Sequence, residues 1–258
     1  MTKNLLHKEI QFSNFGAQIL ELKDSNFNDI LFLSKIILDK KSSRRGGIPI
    51  IFPNFGEHLF LPKHGFARIS NWDKDQSIIF NNMHQRYILR INSENIYNWK
   101  FDAILNLEYF IQEKFLEIIL TITNIGNTSF SWTGGLHPYF KIFNKNNFKI
   151  KGLFNSPYVD RYNNKKSEIE ITSKPFERLY QSSSSIELLD EKYNILLESE
   201  GFNEWMIWNP GEELASNIKD LEINTWNKFI CIEPVIVSSP NWIIPGESFI
   251  GKLKIKLK

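Results

Sequence analysis

Two isolated titratable residues, His137 and Glu233, are the strongest candidates for chemistry in this sequence. His137 lies in the segment Trp-Thr-Gly-Gly-Leu-His-Pro-Tyr-Phe, and Glu233 lies in Phe-Ile-Cys-Ile-Glu-Pro. Both segments are otherwise apolar or small, and a charge there is costly to desolvate unless it has a partner or a catalytic task. An imidazole and a carboxylate can give and take a proton, which is the minimum for general acid–base catalysis. About a hundred positions separate them, so only the fold could bring them together.

Two further segments place cations beside glycine. Arg45 precedes a double glycine in Arg-Arg-Gly-Gly-Ile-Pro, and Leu-Pro-Lys-His-Gly-Phe-Ala-Arg carries Lys63, His64 and Arg68. Glycine lets the backbone approach a ligand closely, and guanidinium groups bind phosphate or sugar oxygens bidentately. A tight turn before a strand would also explain the first segment. An exposed basic loop, with His64 bonded to backbone, would also explain the second.

Asp160 and three tryptophans could contact a sugar. Asp160, in Ser-Pro-Tyr-Val-Asp-Arg, could accept hydrogen bonds from hydroxyl groups, but taken alone it is better explained as a turn cap or a surface partner of Arg161. Trp205, Trp208 and Trp242 could stack on pyranose rings. Core packing or loop anchoring is the better explanation for at least two of them.

Alternation of apolar and polar residues dominates the chain and predicts strands with one buried face. It is clearest between Phe115 and Thr123 and in the lysine-rich residues 249–258. Further short strands are predicted at residues 16–23, 76–80, 86–92, 101–111, 147–151, 168–172, 193–199 and 203–208. Only residues 213–222 have a helical pattern. This organisation favours an all-β antiparallel sandwich or barrel with few short helices over βαβ units.

Bulk properties restrict the class of protein. A chain of 258 residues is expected to form a single domain, residues 1–258. The net charge of +2 and the lack of a dense basic block argue against a nucleic-acid surface. One cysteine, Cys231, excludes an internal disulfide and fits a reducing compartment. No secretion signal or membrane-spanning run is present, so we expect a cytoplasmic protein without a membrane partner.

No cofactor or metal is predicted. The sequence has no dinucleotide-binding, phosphate-loop or zinc-protease motif, and its five histidines have no metal-ligand spacing. The sequence leaves the oligomeric state open and is compatible with a monomer.

Several segments together resemble one known family. Arg-Gly-Gly-Ile-Pro, Phe-Pro-Asn-Phe-Gly, His-Gly-Phe-Ala-Arg, His-Pro-Tyr-Phe, Tyr-Val-Asp, Trp-Asn-Pro and Cys-Ile-Glu-Pro occur in this order. The pattern resembles the glucose-6-phosphate 1-epimerases, the hexose-6-phosphate mutarotases of the aldose 1-epimerase superfamily, from about residue 10 to the C-terminus. The resemblance implies a large antiparallel β-sandwich of the galactose-mutarotase type, with the site on its concave sheet face.

The resemblance also implies roles for individual residues. His137 matches the family's general acid and Glu233 its general base. Arg45 and Arg68 match residues that hold the sugar phosphate, and Asp160 matches a carboxylate that binds sugar hydroxyls. Together with the basic segment, the predicted substrate-binding residues are Arg45, Lys63, His64, Arg68 and Asp160.

Two positions depart from the family pattern. Lys63 replaces the usual glutamine, and its additional cation would suit a phosphate. Pro138 replaces the threonine that commonly follows the histidine, which alters the backbone next to His137.

The expected function is therefore interconversion of the α and β anomers of a hexose 6-phosphate, with glucose 6-phosphate as the expected substrate. One alternative is an aldose 1-epimerase for unphosphorylated sugars, which the paired basic segments disfavour. Another is a non-catalytic carbohydrate-binding module, which has no use for an acid–base pair. Rates on glucose and glucose 6-phosphate would separate the first alternative, and sugar binding without anomer exchange would identify the second.

Overall fold

Strands make up most of the protein. A computed structural model describes residues 10–39, 42–76, 84–94, 98–162 and 169–258. In chain order the strands are β1 (Ile10–Phe12), β2 (Ile19–Leu22), β3 (Ile50–Ile51), β4 (Asp73–Lys74), β5 (His84–Ile91), β6 (Ala103–Ile111), β7 (Phe115–Asn124), β8 (Phe130–Leu136), β9 (Tyr139–Lys141), β10 (Lys149–Lys151), β11 (Tyr158–Asp160), β12 (Phe176–Tyr180), β13 (Ile186–Leu189), β14 (Asn194–Glu200), β15 (Glu204–Asn209), β16 (Phe229–Ile243) and β17 (Ser248–Leu257). The only α-helix among the described residues is α1 (Gly211–Ala215).

An eight-stranded antiparallel sheet forms one layer of the fold, in the order β10-β13-β14-β17-β7-β6-β5-β4. Its central strands alternate between buried and partly exposed residues, because one face meets the core and the other meets water. The outward lysines of β17 pair with glutamates on the neighbouring strands β14 and β7. The alternation in the sequence therefore predicted six strands of this sheet, whereas β4 and β13 lie outside the predicted ranges.

A seven-stranded sheet forms the second layer, in the order β11-β12-β15-β16-β8-β3 with β9 also paired to β16. The first eight residues of β16 are all buried, so both faces of this strand are covered. A strand covered on both faces loses the alternation that a half-exposed strand shows. β8 and β16 consequently lie outside the strands predicted from alternation.

The core lies between the two sheets. The ring of Trp132 on β8 contacts Phe249 on β17 at 4.8 Å between centroids. Phe130 on β8 contacts Phe101, beside β6, at 5.6 Å. Each fully buried aromatic or aliphatic side chain contributes about 1.5–3 kcal/mol to folding. The predicted all-β antiparallel sandwich is confirmed.

Some local predictions differ from the structure. Residues 169–172 form no strand although Ile171 is buried, because alternation reports side-chain burial and not backbone pairing. The predicted helix 213–222 is only α1 followed by turns, since serine, asparagine and aspartate after Ala215 favour turns over helix. The predicted strand at 76–80 lies almost entirely outside the described residues. No helix in the described segments is long and apolar enough to cross a membrane.

Candidate active site

His137 and Glu233 meet on the seven-stranded sheet. On either side of them, Gly135 pairs with Val235 and Tyr139 pairs with Cys231, so His137 lies opposite Glu233. The Nδ1 atom of His137 is 3.4 Å from Oε1 of Glu233. Only 6% of His137 and 1% of Glu233 is exposed. The fold thus brings together the two residues that the sequence predicted as an acid–base pair.

Two glycines allow this close approach. A Cβ atom on Gly134 would lie 2.1 Å from the backbone oxygen of Ile51, and one on Gly135 would lie 2.2 Å from that of Pro234. Any larger residue would therefore push β8 away from β3 or β16. The backbone N–H of His137 donates to the carbonyl of Pro49 at 2.9 Å, which fixes the imidazole beside β3.

Aromatic rings surround the imidazole of His137. The ring of Tyr139 stacks on it at 4.7 Å with an interplanar angle of 5°. The rings of Trp208 and His64 meet it edge-on at 6.0 and 5.7 Å. These rings exclude water from the acid–base pair, so electrostatic interactions there are stronger than in solution.

Burial controls the protonation of the pair. It lowers the pKa of His137 well below 6.5, and electrostatic repulsion from protonated His64 and from Arg68 and Arg45 lowers it further. Burial also raises the pKa of Glu233 well above 4.5, with a smaller contribution from Glu177. In the free protein the pair therefore favours a neutral imidazole and a carboxylic acid. The pair still holds one proton, as the predicted imidazolium and carboxylate would, but the proton lies on Glu233.

Arg45 and Arg68 both act electrostatically on His137. Arg45 donates from Nε to Asp220 at 2.6 Å and from Nη1 to the hydroxyl of Tyr139 at 3.3 Å. Arg68 donates from Nη2 to the carbonyl of Lys63 at 3.0 Å. Its buried Nε has no hydrogen-bond partner in the described part of the chain. Arg68 therefore retains a donor for a ligand, whereas Arg45 is already ion-paired.

His64 and Lys63 differ in position. His64 Nδ1 accepts a hydrogen bond from the Gly56 N–H at 3.1 Å, so in the neutral ring Nε2 carries the proton. Burial, together with Arg68, Lys63 and Arg45, lowers the pKa of His64 to about 3. Lys63 forms a 3.0 Å ion pair with Glu57, and both side chains are more than half exposed. Lys63 thus lies at the solvent-facing rim, while His64 contacts the pair.

Asp160 lies away from the pair. Its Oδ2 accepts a 2.7 Å hydrogen bond from Nε of Arg178, which is fully buried between two aromatic rings. The strand register aligns Asp160 and Arg178 with Ile232 of β16, the residue before Glu233. Neighbouring residues of a strand point to opposite faces. The register therefore places Asp160 on the face of the sheet opposite Glu233, which does not support the expected contact with a sugar there. Its Oδ1 accepts a hydrogen bond from the backbone N–H of Tyr162 at 2.9 Å, so Asp160 acts as the expected turn cap.

Several residues at the site were not assigned a role from the sequence. Tyr139 and Cys231 lie two positions from His137 and Glu233 along strands, so period-2 spacing could have placed them on the same face. Asp220 lies in the turns after α1 and gives no comparable signal. Of the three tryptophans considered, Trp208 lies beside His137. Trp205 is buried in the core, and Trp242 is 68% exposed.

Together with Cys231, the pair forms a set of residues whose side chains can ligate a metal ion. His137, Cys231 and Glu233 are all buried, and one ligand atom from each lies within 4.8 Å of the others. Imidazole, thiolate and carboxylate are all ligands of Zn²⁺ in proteins. The spacing of residues in the sequence does not indicate this ligand set, because His137 is distant in the chain from Cys231 and Glu233.

A buried imidazole–carboxylate pair on one sheet of a large antiparallel sandwich places a proton donor and a proton acceptor side by side, as general acid–base catalysis requires. The aldose 1-epimerase family model matches residues 3–256. The chain belongs to the aldose 1-epimerase family.

Individual relatives agree with this assignment. A protein of Cenchrus ciliaris named "Putative glucose-6-phosphate 1-epimerase" is 27% identical over 259 residues, which cover 93% of this chain and 79% of the relative. A crystal structure titled "putative mutarotase", from Salmonella typhimurium, has a TM-score of 0.82 at 24% identity, covering 96% of this chain and 86% of that one. A galactose mutarotase-like protein from Lactobacillus casei has a TM-score of 0.72 at 17% identity and 99% coverage of both chains. The two structures show that the fold is shared.

Proposed function

We propose that the protein interconverts the α and β anomers of a hexose 6-phosphate, with Glu233 as general base and His137 as general acid. The observation that carries the proposal is the 3.4 Å contact between these two buried side chains. The charges of two arginines, Arg68 and Arg45, also influence the pKa of His137. The relatives named as glucose-6-phosphate 1-epimerases support the choice of a phosphorylated hexose.

The reaction needs only proton transfers. Glu233 removes the proton from the anomeric hydroxyl while His137 protonates the ring oxygen, and the bond between C1 and the ring oxygen breaks. The open-chain aldehyde then turns about its C1–C2 bond, and the ring closes on the other face of the carbonyl with the two roles reversed. A well-placed acid or base each contributes about 10²–10⁴-fold to such a step.

Phosphate binding would prepare the pair for this role. The charges of Arg68 and Arg45 help to lower the pKa of His137, so a phosphate dianion beside them would offset that effect. A phosphate that lies nearer to His137 than to Glu233 raises the pKa of His137 more, and so favours transfer of the proton from Glu233 to His137, which gives the imidazolium and the carboxylate that ring opening requires. A neutral sugar cannot provide this compensation, which supports a phosphorylated substrate.

The test is anomer exchange of glucose 6-phosphate, measured by two-dimensional exchange NMR or polarimetry. Glu233→Gln and His137→Ala should each abolish catalysis, while circular dichroism shows an intact fold. His84→Gln is the matched control, because His84 also forms a 3.0 Å pair with a glutamate, Glu108, but does so at the surface. Rates like those of the wild type in either site variant would contradict the assigned roles.

An aldose 1-epimerase for unphosphorylated sugars is the second candidate. The 2.6 Å ion pair between Arg45 and Asp220 favours it, because an arginine that is already neutralised has less need of a phosphate. The ratio of kcat/KM for glucose 6-phosphate to that for glucose distinguishes the two candidates. A ratio well above one supports the hexose phosphate, and a ratio at or below one supports the free sugar.

A further inference from the structure

We propose that His137, Cys231 and Glu233 bind a thiophilic divalent cation, with Zn²⁺ as the reference ion, and that the cation occupies the acid–base pair. The three residues are buried, and their ligand atoms lie within 4.8 Å of one another. The metal-binding part of this inference stands on geometry alone. The consequence for catalysis rests on the proposed function.

The distances suit a tetrahedral ion. Zn–N and Zn–O bonds of about 2.0–2.1 Å at tetrahedral angles place the two ligand atoms about 3.3 Å apart. The observed separation of His137 Nδ1 and Glu233 Oε1 is 3.4 Å. A Zn–S bond of about 2.3 Å requires Sγ of Cys231 about 3.5 Å from each of them. Sγ lies within 4.8 Å of one ring nitrogen of His137 and one carboxylate oxygen of Glu233, so a movement of at most about 1.3 Å brings it to the required distance from those two atoms.

Unsatisfied polar atoms point to a missing ligand. His137 Nδ1 and Glu233 Oε2 are buried and have no hydrogen-bond partner within the part of the chain that the structure describes. Buried polar atoms without partners are costly because they have lost their hydrogen bonds to water, and a bound ion would relieve that cost. The sugar of the proposed reaction would relieve it as well, so ion and sugar would compete for the same atoms.

Charge balance favours a divalent ion. Zn²⁺ binding would release one proton from Cys231 and one from Glu233 to the solvent, and the resulting thiolate and carboxylate would carry two negative charges, which equal the charge of Zn²⁺. A net-neutral complex is the form that a buried site tolerates best. Of the nearby cations, Arg45 is ion-paired with Asp220. Arg68 is the remaining charge that opposes binding.

The identity of the ligands favours a soft ion over Mg²⁺ or Ca²⁺. A thiolate and an imidazole select Zn²⁺, Co²⁺ or Cd²⁺, whereas the hard cations prefer sets of oxygen ligands. With three protein ligands, the fourth tetrahedral position remains for water, as in zinc sites with an open coordination position.

The binding test titrates untagged protein with Zn²⁺ by calorimetry in phosphate-free buffer, and with Co²⁺ by absorption spectroscopy. We expect a single equivalent to bind and a thiolate-to-cobalt charge-transfer band to appear. Cys231→Ser should abolish the band and weaken Zn²⁺ binding at least roughly tenfold, or about 1.4 kcal/mol. His84→Gln, at the surface His–Glu pair, should leave both unchanged.

Two results would overturn the site: wild-type protein that binds Co²⁺ without a thiolate band, or a Cys231→Ser variant that keeps full Zn²⁺ affinity. The first uses the wild-type protein, so it remains decisive if the variant fails to fold.

Competition is tested separately. Saturating Zn²⁺ should inhibit anomer exchange and a chelator should restore it, so full activity of the zinc-loaded protein would refute competition. If the protein catalyses no anomer exchange at all, the proposed function fails while the metal titration still decides the site.

Discussion

Replacing Glu233 by glutamine should stabilise the protein at neutral pH while it removes the proposed general base. The carboxyl is 1% exposed and its pKa is well above 4.5 because of burial. The unfolded chain releases this proton near pH 4.5, but the native state retains it, so stability falls as pH rises from 4.5 to the native pKa. Glutamine matches the shape of the protonated carboxyl and has no proton to lose, so the variant avoids this loss.

The size of the gain follows from linkage. Each pKa unit corresponds to about 1.36 kcal/mol. Between pH 4.5 and pH 7 a carboxyl that stays protonated in the native state loses roughly 3 kcal/mol relative to the unfolded chain. This is the upper limit of the stabilisation of Glu233→Gln at pH 7. The gain should approach zero near pH 4, where both states of the wild-type protein are protonated.

Urea unfolding followed by tryptophan fluorescence at pH 4 and pH 7 measures this difference. The quantity compared is the change in the free energy of unfolding between variant and wild type at each pH, so any effect of the substitution that is independent of pH cancels. Glu200→Gln is the control, because Glu200 is exposed and pairs with Lys252, which lowers its pKa. That variant should show no gain at pH 7.

Equal gains of Glu233→Gln at pH 4 and pH 7, or a loss of stability at pH 7 alone, would refute the reasoning. Either result would mean that Glu233 is ionised in the free protein.

Three further substitutions test the site and its framework. Arg68→Ala should raise KM for glucose 6-phosphate roughly 10–100-fold with a much smaller effect on glucose, since a hydrogen bond to a charged group is worth about 1.5–3 kcal/mol. Asp160→Asn should destabilise the fold by about 3 kcal/mol, because it removes the carboxylate that pairs with the buried Arg178, and should leave KM unchanged. Gly65→Ala should cost roughly 2–6 kcal/mol from backbone strain and overpacking, because its Cβ would lie 1.9 Å from the carbonyl oxygen of Phe52.

Each of these has a decisive control or contrary outcome. An equal rise in KM for both sugars would make Arg68 a structural residue. A raised KM with unchanged stability in Asp160→Asn would restore its predicted role in sugar binding. Gly56 has the same φ of +73° as Gly65 but no atom within 4 Å of an added Cβ. Gly56→Ala should therefore cost only the backbone strain, about 1–2 kcal/mol, and an equal loss at both glycines would exclude the steric argument.

The alternation of apolar and polar residues predicted the eight-stranded sheet better than the seven-stranded sheet. Apolar and polar residues alternate along β6, β7 and β17 because one face of their sheet meets water. This alternation can be recognised in the amino-acid sequence alone. β16 is buried on both faces along Phe229–Ile236. Its residues are continuously apolar apart from Glu233, and no period identifies it as a strand.

In the site, too, some residues could be recognised from the local sequence and others could not. His137 and Glu233 stand out because each is the lone titratable group in an apolar segment. Asp220, the partner of Arg45, lies in a turn distant in sequence, and only the tertiary fold brings it there. The face that Asp160 occupies depends on the register of the three-residue strand β11, and local composition does not encode that register.

Strand β16 contributes side chains to both the hydrophobic core and the proposed active site. Ile232 lies in the hydrophobic core, while the next residue, Glu233, lies at the acid–base pair. A shift of one position in the pairing of β16 would exchange these faces, placing a carboxylate among apolar side chains and an isoleucine beside the imidazole. Molecules in which β16 pairs in the wrong register would therefore be both less stable and inactive. The rate of anomer exchange would then measure the fraction of molecules with the correct register.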